Sequence, residues 1–319
     1  MAGFLSALGQ KLAEHWLTLL VLPGALFLAT ATTAHTLGQT HALEYRRLDD
    51  HITGWAQAPE AAGVGGQVVL LGSVLAAAAA AGLAAEGLGA LVQRTALAAD
   101  WHTWPRPLRQ GAQLLVTRRR ARWTAAAHRY RRQLDADAHF LALHGHRADP
   151  SRRRAAQHAM RRIGVEEPNR PTWSGDRLHA VAVGLERDHH VDLPLLWPHL
   201  WLTLQEPTRA EITIAEQALT RATTLGGWAL LYAPLTWWWW PAAPLTAALV
   251  LIAGQRVRSA TDLYAQLLEA AVRLHTTDLA ARLGIDHTGP LEPALGDTLT
   301  SRLRARPALP PDPDDTPPH

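Results

Sequence analysis

The sequence predicts an all-α integral membrane protein with about four transmembrane helices and a helical cytoplasmic region. Three observations lead there. Apolar residues gather in a few long runs without charge, arginine gathers between those runs, and four consecutive tryptophans, Trp237 to Trp240, stand before Pro241 within the last run. Averages conceal this segregation, since 18% charged residues and a net charge of +3 over 319 residues are ordinary for a soluble chain. The chain has no cysteine, which excludes disulfides and cysteine-based metal or nucleophile chemistry. Lys11 is the only lysine, so the positive charge is almost all arginine. With abundant Ala, Pro, Gly and Trp, the composition is that of a high-GC bacterial genome.

Residues 1–37 form the N-terminal segment and first span. The run Trp16 to Leu37 is long enough for a hydrocarbon core of roughly 30 Å at about 1.5 Å per residue, and Pro23-Gly24 should kink it. The competing reading is a signal peptide cleaved after the small residues Ala29 to Ala31, although Lys11 offset by Glu14 makes a poor charged n-region. Residues 38–66 are an extracytoplasmic loop. Residues 67–93 are the second span, whose stretch Gln67 to Ala85 has no ionisable group. Its small-residue face, with Ala78, Gly82 and Gly89, allows another helix to approach closely. Glu86 at its inner end reads as an intramembrane acid or as a boundary carboxylate that reaches the interface beside Arg94.

The tryptophans decide the rest of the topology. No charge occurs between Arg221 and Arg256, too long for one span and short for two unless both arginines snorkel to one interface. Tryptophan favours the headgroup level, and Pro241 with Pro244 disfavours a continuous helix, so Trp237, Trp238, Trp239 and Trp240 read as the outer turn of a helical hairpin. The alternative is a single span with the tryptophans near its centre. Between Arg94 and Arg162 sixteen arginines face four aspartates and no glutamate, whereas the first loop has Arg46 and Arg47 against four acids. The positive-inside rule therefore puts both termini and the arginine region in the cytoplasm of a bacterial inner membrane.

Residues 94–208 are the Arg-rich helical region. A long helix is expected from Arg118, with Trp123, Ala127, Tyr130, Leu134 and Leu141 at helical spacing, and a second from Ser151 as cap to Gly164. Arg118, Arg119, Arg120, Arg122, Arg152, Arg153 and Arg154 are the expected contacts to the anionic inner leaflet or to a protein partner. Nucleic acid is disfavoured, since no aromatic platform or recognised motif accompanies the charge. Asp176 is expected to cap a short helix, and Asp192 with Pro194 to open another. On the latter, Leu193, Leu196, Trp197, Leu200, Trp201 and Leu204 form one apolar stripe, suited to a core or to a membrane interface.

The segment Pro171 to Leu204 carries Pro171-Thr172, Gly175 with Leu178 following, Asp192 after a histidine pair, and Trp197-Pro198-His199-Leu200. It resembles a recurring segment of multi-pass membrane proteins of actinobacteria and other bacteria. Those usually have Asn after the Gly and an Arg-Tyr pair before the Asp, where this chain has Asp176 and His189-His190. The resemblance covers about a tenth of the chain and implies a multi-pass inner-membrane protein with this segment in the cytoplasm. It implies no activity.

Residues 209–283 read as a long helical hairpin containing the third and fourth spans, opened by a Thr208-to-Glu211 capping box and closed by Gly284. Its arms should pack together beyond the membrane as well as within it. Residues 284–319 are a short C-terminal module, in which Asp297 is a candidate cap, and a Pro-rich tail with the composition of a disordered segment.

Catalytic patterns are missing. The sequence has no Walker-type loop, no His-Glu-x-x-His helix and no Gly-x-Ser-x-Gly elbow. The tightest histidine groups, His139 with His144 and His146, and Asp188 to Asp192, lack strong metal-ligand spacing, and no catalytic residue, metal or cofactor is assigned. The expected function is that of an interaction or scaffold protein. The alternatives are an oligomeric channel or transporter component and a membrane-anchored histidine-dependent metalloenzyme.

Overall fold

The computed structural model describes residues 21–42, 44, 64–287 and 289–304. They are helical with no strand among them. Nine α-helices follow in order: α1 Leu22–Leu37, α2 Val64–Leu97, α3 Arg106–His144, α4 Ser151–Arg161, α5 Trp173–His189, α6 Leu193–Thr203, α7 Glu206–Tyr232, α8 Ala242–Arg282 and α9 Pro293–Leu303. Short 3₁₀ turns at Trp101–Thr103 and Ala233–Trp237 precede α3 and follow α7. The expected residues 1–20, most of the loop 38–66 and the tail 305–319 lie outside the described residues.

The chain divides into two compact units that cut across the expected linear domains. The first comprises residues 1–109 and 216–261, and the second residues 110–215 and 262–319. Long helices make this division, because α7 and α8 each contribute one part of their length to each unit.

The first unit is held by backbone proximity. Ala78, Gly82, Ala85 and Gly89 recur at intervals of four, three and four on α2, and all are buried. A Cβ added at Gly24 of α1 would collide with the Ala78 carbonyl, and one at Gly227 of α7 with the Ala85 carbonyl. At Gly89 a Cβ would lie 2.7 Å from Thr224 Cα. Such small seams let dispersion between backbones replace side-chain interdigitation. Pro23 stands at the start of the described α1, and the part of the run Trp16 to Leu37 that precedes Val21, needed to see a kink, lies outside the described residues. Phe27 of α1 lies against Trp228 and Tyr232, with ring centroids 6.2 and 5.2 Å away. At the far end of α2, Ala96 and Leu97 pack on Leu219, Ala222, Val257 and Ala260.

Apart from a few such as Leu219 and Val257, many large apolar side chains of this unit turn outward. Val69 is 72% exposed on α2 and Leu251 66% on α8, with Leu22, Leu26, Val68, Leu83 and Leu230 also exposed. Among the described residues one helix, Gly65–Leu97, is long and apolar enough to cross a membrane, with a mean hydropathy of 2.3 over its best window. The hairpin arms fall short of that length because charge interrupts them. Residues 242–255 of α8 reach Arg256 after about 20 Å, and the stretch of α7 from Arg221 to Tyr232 is about 16 Å before the 3₁₀ turn extends it.

The second unit has a conventional core. Val181, Leu185, Val191, Leu193, Leu196, Leu200, Leu204, Ile212, Leu268, Val272, Leu279, Leu295 and Leu299 form one buried cluster. The α6 stripe is thereby a core face, and Trp197 and Trp201 pack against it half-buried, 5.7 Å apart. Asp192 caps α6 through Leu195 N, as its sequence pattern indicates. Gly284, at φ 67°, closes α8 with Ile285 N donating to Ala280 O at 3.0 Å.

Four local expectations are corrected. Helix α3 starts at Arg106, a dozen residues before Arg118, because Arg-, Gln- and Leu-rich sequence continues the helix upstream. Helix α7 starts at Glu206-Pro207, so Thr208 lies inside the first turn and makes no capping box. For α4 the N-cap position is Pro150 and Ser151 is the first helical residue, its amide and hydroxyl donating to the Asp149 carboxylate at 3.1 and 2.7 Å. Asp297 lies within α9, whose N-cap position is Glu292.

Candidate functional site

The arginine-rich surface belongs to α3 and α4 of the second unit. Arg118, Arg122, Arg152 and Arg154 are exposed. Arg120 pairs with Glu167 at 2.8 Å and Arg153 with Asp137 at 3.1 Å. Arg119 departs from the expected outward contact: its side chain is 16% exposed and directed into the protein. It meets the Asp176 carboxylate at 2.6 Å and donates to the carbonyls of Arg170 and Ile163, each at 2.8 Å.

These contacts fasten the connector between α4 and α5. The Asp176 Oδ1 accepts from the amides of Asn169 and Arg170 at 2.9 and 2.7 Å. The Trp123 indole donates to Gly164 O at 3.0 Å. Thr172 supplies the α5 cap expected of Asp176, its hydroxyl accepting from Gly175 N at 3.1 Å. Burial pushes the Asp176 carboxyl upward, while the Arg119 charge and the two amides pull it down less strongly. Arg177, buried in the next position, donates to Asp262 of α8 at 2.6 Å. Arg187 bridges Glu166 and Asp188, at 2.8 Å each. Half-buried His179 is pushed below its ordinary value by burial and by the Arg170 charge, which keeps it neutral at pH 7.

The histidine pair also has structural partners. His190 stands at φ 54° as the left-handed end of α5, and its ring meets Asp297 at 3.0 Å. The His189 ring meets Leu291 O at 3.0 Å, and a Cβ at Gly296 would collide with the His189 carbonyl. The pair therefore seats α9 against the α5–α6 turn. Among the described residues no three His, Asp or Glu side chains converge as a metal site.

No protein family, curated protein or solved structure matches this chain. The site is accordingly read from its own geometry. In the first unit the tryptophans form a turn between α7 and α8, with Trp237 81% exposed and Trp238 and Trp240 about half exposed. Trp239 is partly buried, its indole donating to Ala42 O at 3.0 Å, and the Gln39 amide donates to Thr236 O and Trp237 O at 3.2 and 2.8 Å. The chain leaving α1 and the tryptophan turn thus share one end of the unit. Arg221 and Arg256 are exposed beside the layer formed by Ala222 and Val257. Glu86 is exposed, off the small-residue seam.

Sequence reasoning missed Trp123 as a clamp and the inward role of Arg119 and Asp176. The available signal was an acid in the first turn of α5, directly after a Pro-containing connector whose amides need acceptors.

Proposed function

We propose that this chain is a four-span integral protein of a bacterial inner membrane, acting as a non-enzymatic interaction or scaffold protein through its basic helical region. The observation that carries the membrane reading is the first unit's packing on α2, with Ala78, Gly82, Ala85 and Gly89 inside and Val68, Val69, Leu71 and Leu83 outside. Water would penalise that surface at about 25 cal/mol per Å², and hydrocarbon would not. α1, α2 and the apolar arms of α7 and α8 are the four spans. The tryptophan turn and the chain after α1 lie outside, and snorkelling Arg221 and Arg256 extend the short arms to the inner interface. The positive-inside rule places the arginine region, and hence its partners, in the cytoplasm.

Single-cysteine labelling of intact cells tests the topology cleanly, since the chain has no cysteine of its own. A membrane-impermeant thiol reagent should label Trp55→Cys and Ala243→Cys in intact cells, and Ala136→Cys and Ser301→Cys only after permeabilisation. Labelling of Ser301→Cys but not Ala243→Cys in intact cells would replace the hairpin with one span.

A further inference from the structure

Beyond Ala126, α3 has no buried residue, and α4 has none at all. The two helices close a hairpin with a cleft of about 500 Å³ between them. Leu134, Ala138 and Leu141, at intervals of four and three, form its floor, with Arg147, Arg153 and Arg154 on its rim. Leu134 is 39% and Leu141 42% exposed, and Asp137 inside the cleft is already paired with Arg153. Between residues 127 and 161 eight arginines stand against three aspartates.

We propose that this cleft is a docking groove for an acidic amphipathic helix of a partner protein. Two helices offering one apolar stripe leave room for a third, whose own stripe would cover Leu134, Ala138 and Leu141. The volume lies within the range of preformed binding sites. Arginine along the rim selects glutamate and aspartate beside that stripe, and repels the basic amphipathic helices that the same leucines would otherwise accept. A helix fits better than a lipid headgroup, because the leucines repeat at helical spacing along the groove. The inference rests on the reading of the basic region as an interaction surface and gives it a site and a partner chemistry.

The test uses the full chain in nanodiscs of neutral phosphatidylcholine. The probe is a fluorescent synthetic peptide of roughly 18 residues with a leucine stripe flanked by glutamates, long enough to become helical on docking. Anisotropy should show saturable binding, weakened about tenfold or more by Leu141→Asp or by Ala138→Arg. Arg154→Glu should weaken it several-fold at low salt and less at high salt, roughly as Debye screening predicts. Both floor variants are at exposed helix positions, and unchanged helical circular dichroism secures their fold. Equal binding of a peptide with the same composition but no stripe, or unaltered binding to both floor variants, would overturn the groove. Binding of phosphatidylglycerol vesicles that Leu141→Asp abolishes, with no peptide binding, would also overturn it in favour of a membrane contact. Each of these results leaves the cysteine-labelling test of the membrane topology untouched.

Discussion

The two units solve the packing problem in opposite ways. In the first, Ala78 and Ala85 are fully buried while Leu251 is 66% exposed; in the second, Leu200 is fully buried and Leu196 nearly so. A water-driven core gathers its largest apolar side chains, whereas the first unit brings its backbones together at small residues, the packing expected of helices in hydrocarbon under the proposed membrane reading. Polar chemistry divides likewise. The second unit carries a buried ion pair and side-chain caps, whereas along α1 of the first the threonine hydroxyls return to their own helix, as Thr30 to Leu26 O at 2.8 Å and Thr32 to Leu28 O at 2.9 Å.

The largest effect that probes this contrast is expected at the buried pair of the second unit. Arg119→Ala should cost about 3–5 kcal/mol by leaving Asp176 buried without its partner charge. Arg119→Met with Asp176→Leu should recover part of that loss, and a denaturation cycle over the four proteins measures the coupling. Next comes the same substitution placed once in each unit. Leu200→Ala should cost about 3 kcal/mol, and Leu251→Ala less than about 0.5 kcal/mol in a lipid environment. Equal losses would erase the distinction between the units. Gly227→Leu should destabilise the first unit by about 2 kcal/mol, because its side chain meets the Ala85 carbonyl, whereas Gly72→Leu meets nothing within 4 Å and should be nearly neutral. Protease resistance in nanodiscs compares these two.

The smallest effect concerns α4. Hydrogen bonds from the Ser151 hydroxyl and amide hold the Asp149 carboxyl below its ordinary value of 3.8. A depressed carboxyl stabilises the folded state above the ordinary value, and that contribution is lost as pH falls through the lower folded-state value. Amide exchange in the first turn of α4 should therefore rise, after correction for intrinsic rates, on acidification below about pH 4. In Asp149→Asn this acid-dependent step should vanish.

Some elements were legible from residues alone. The tryptophan turn followed from Pro241 and the uncharged length around it, and the α2 seam from alanines and glycines on one helical face. The Asp192 cap and the Gly284 stop followed from local backbone chemistry. The misplaced starts of α3 and α7 arose where propensity was nearly flat over several residues, so the local sequence did not fix the N-terminus.

By itself the sequence determined an all-helical chain, the position of its apolar runs and its charge asymmetry, because helix periodicity, solvation and capping act over a few residues. Only the tertiary structure decided that Arg119 turns inward while Arg118 and Arg122 do not, and that the α6 stripe joins a core with α8 and α9. It also decided that the end of α3 and all of α4 are left without a third helix. Those outcomes depend on which distant backbone carbonyls, carboxylates and apolar faces arrive beside a residue, and residues 119 and 176, or 200 and 299, carry no local trace of each other.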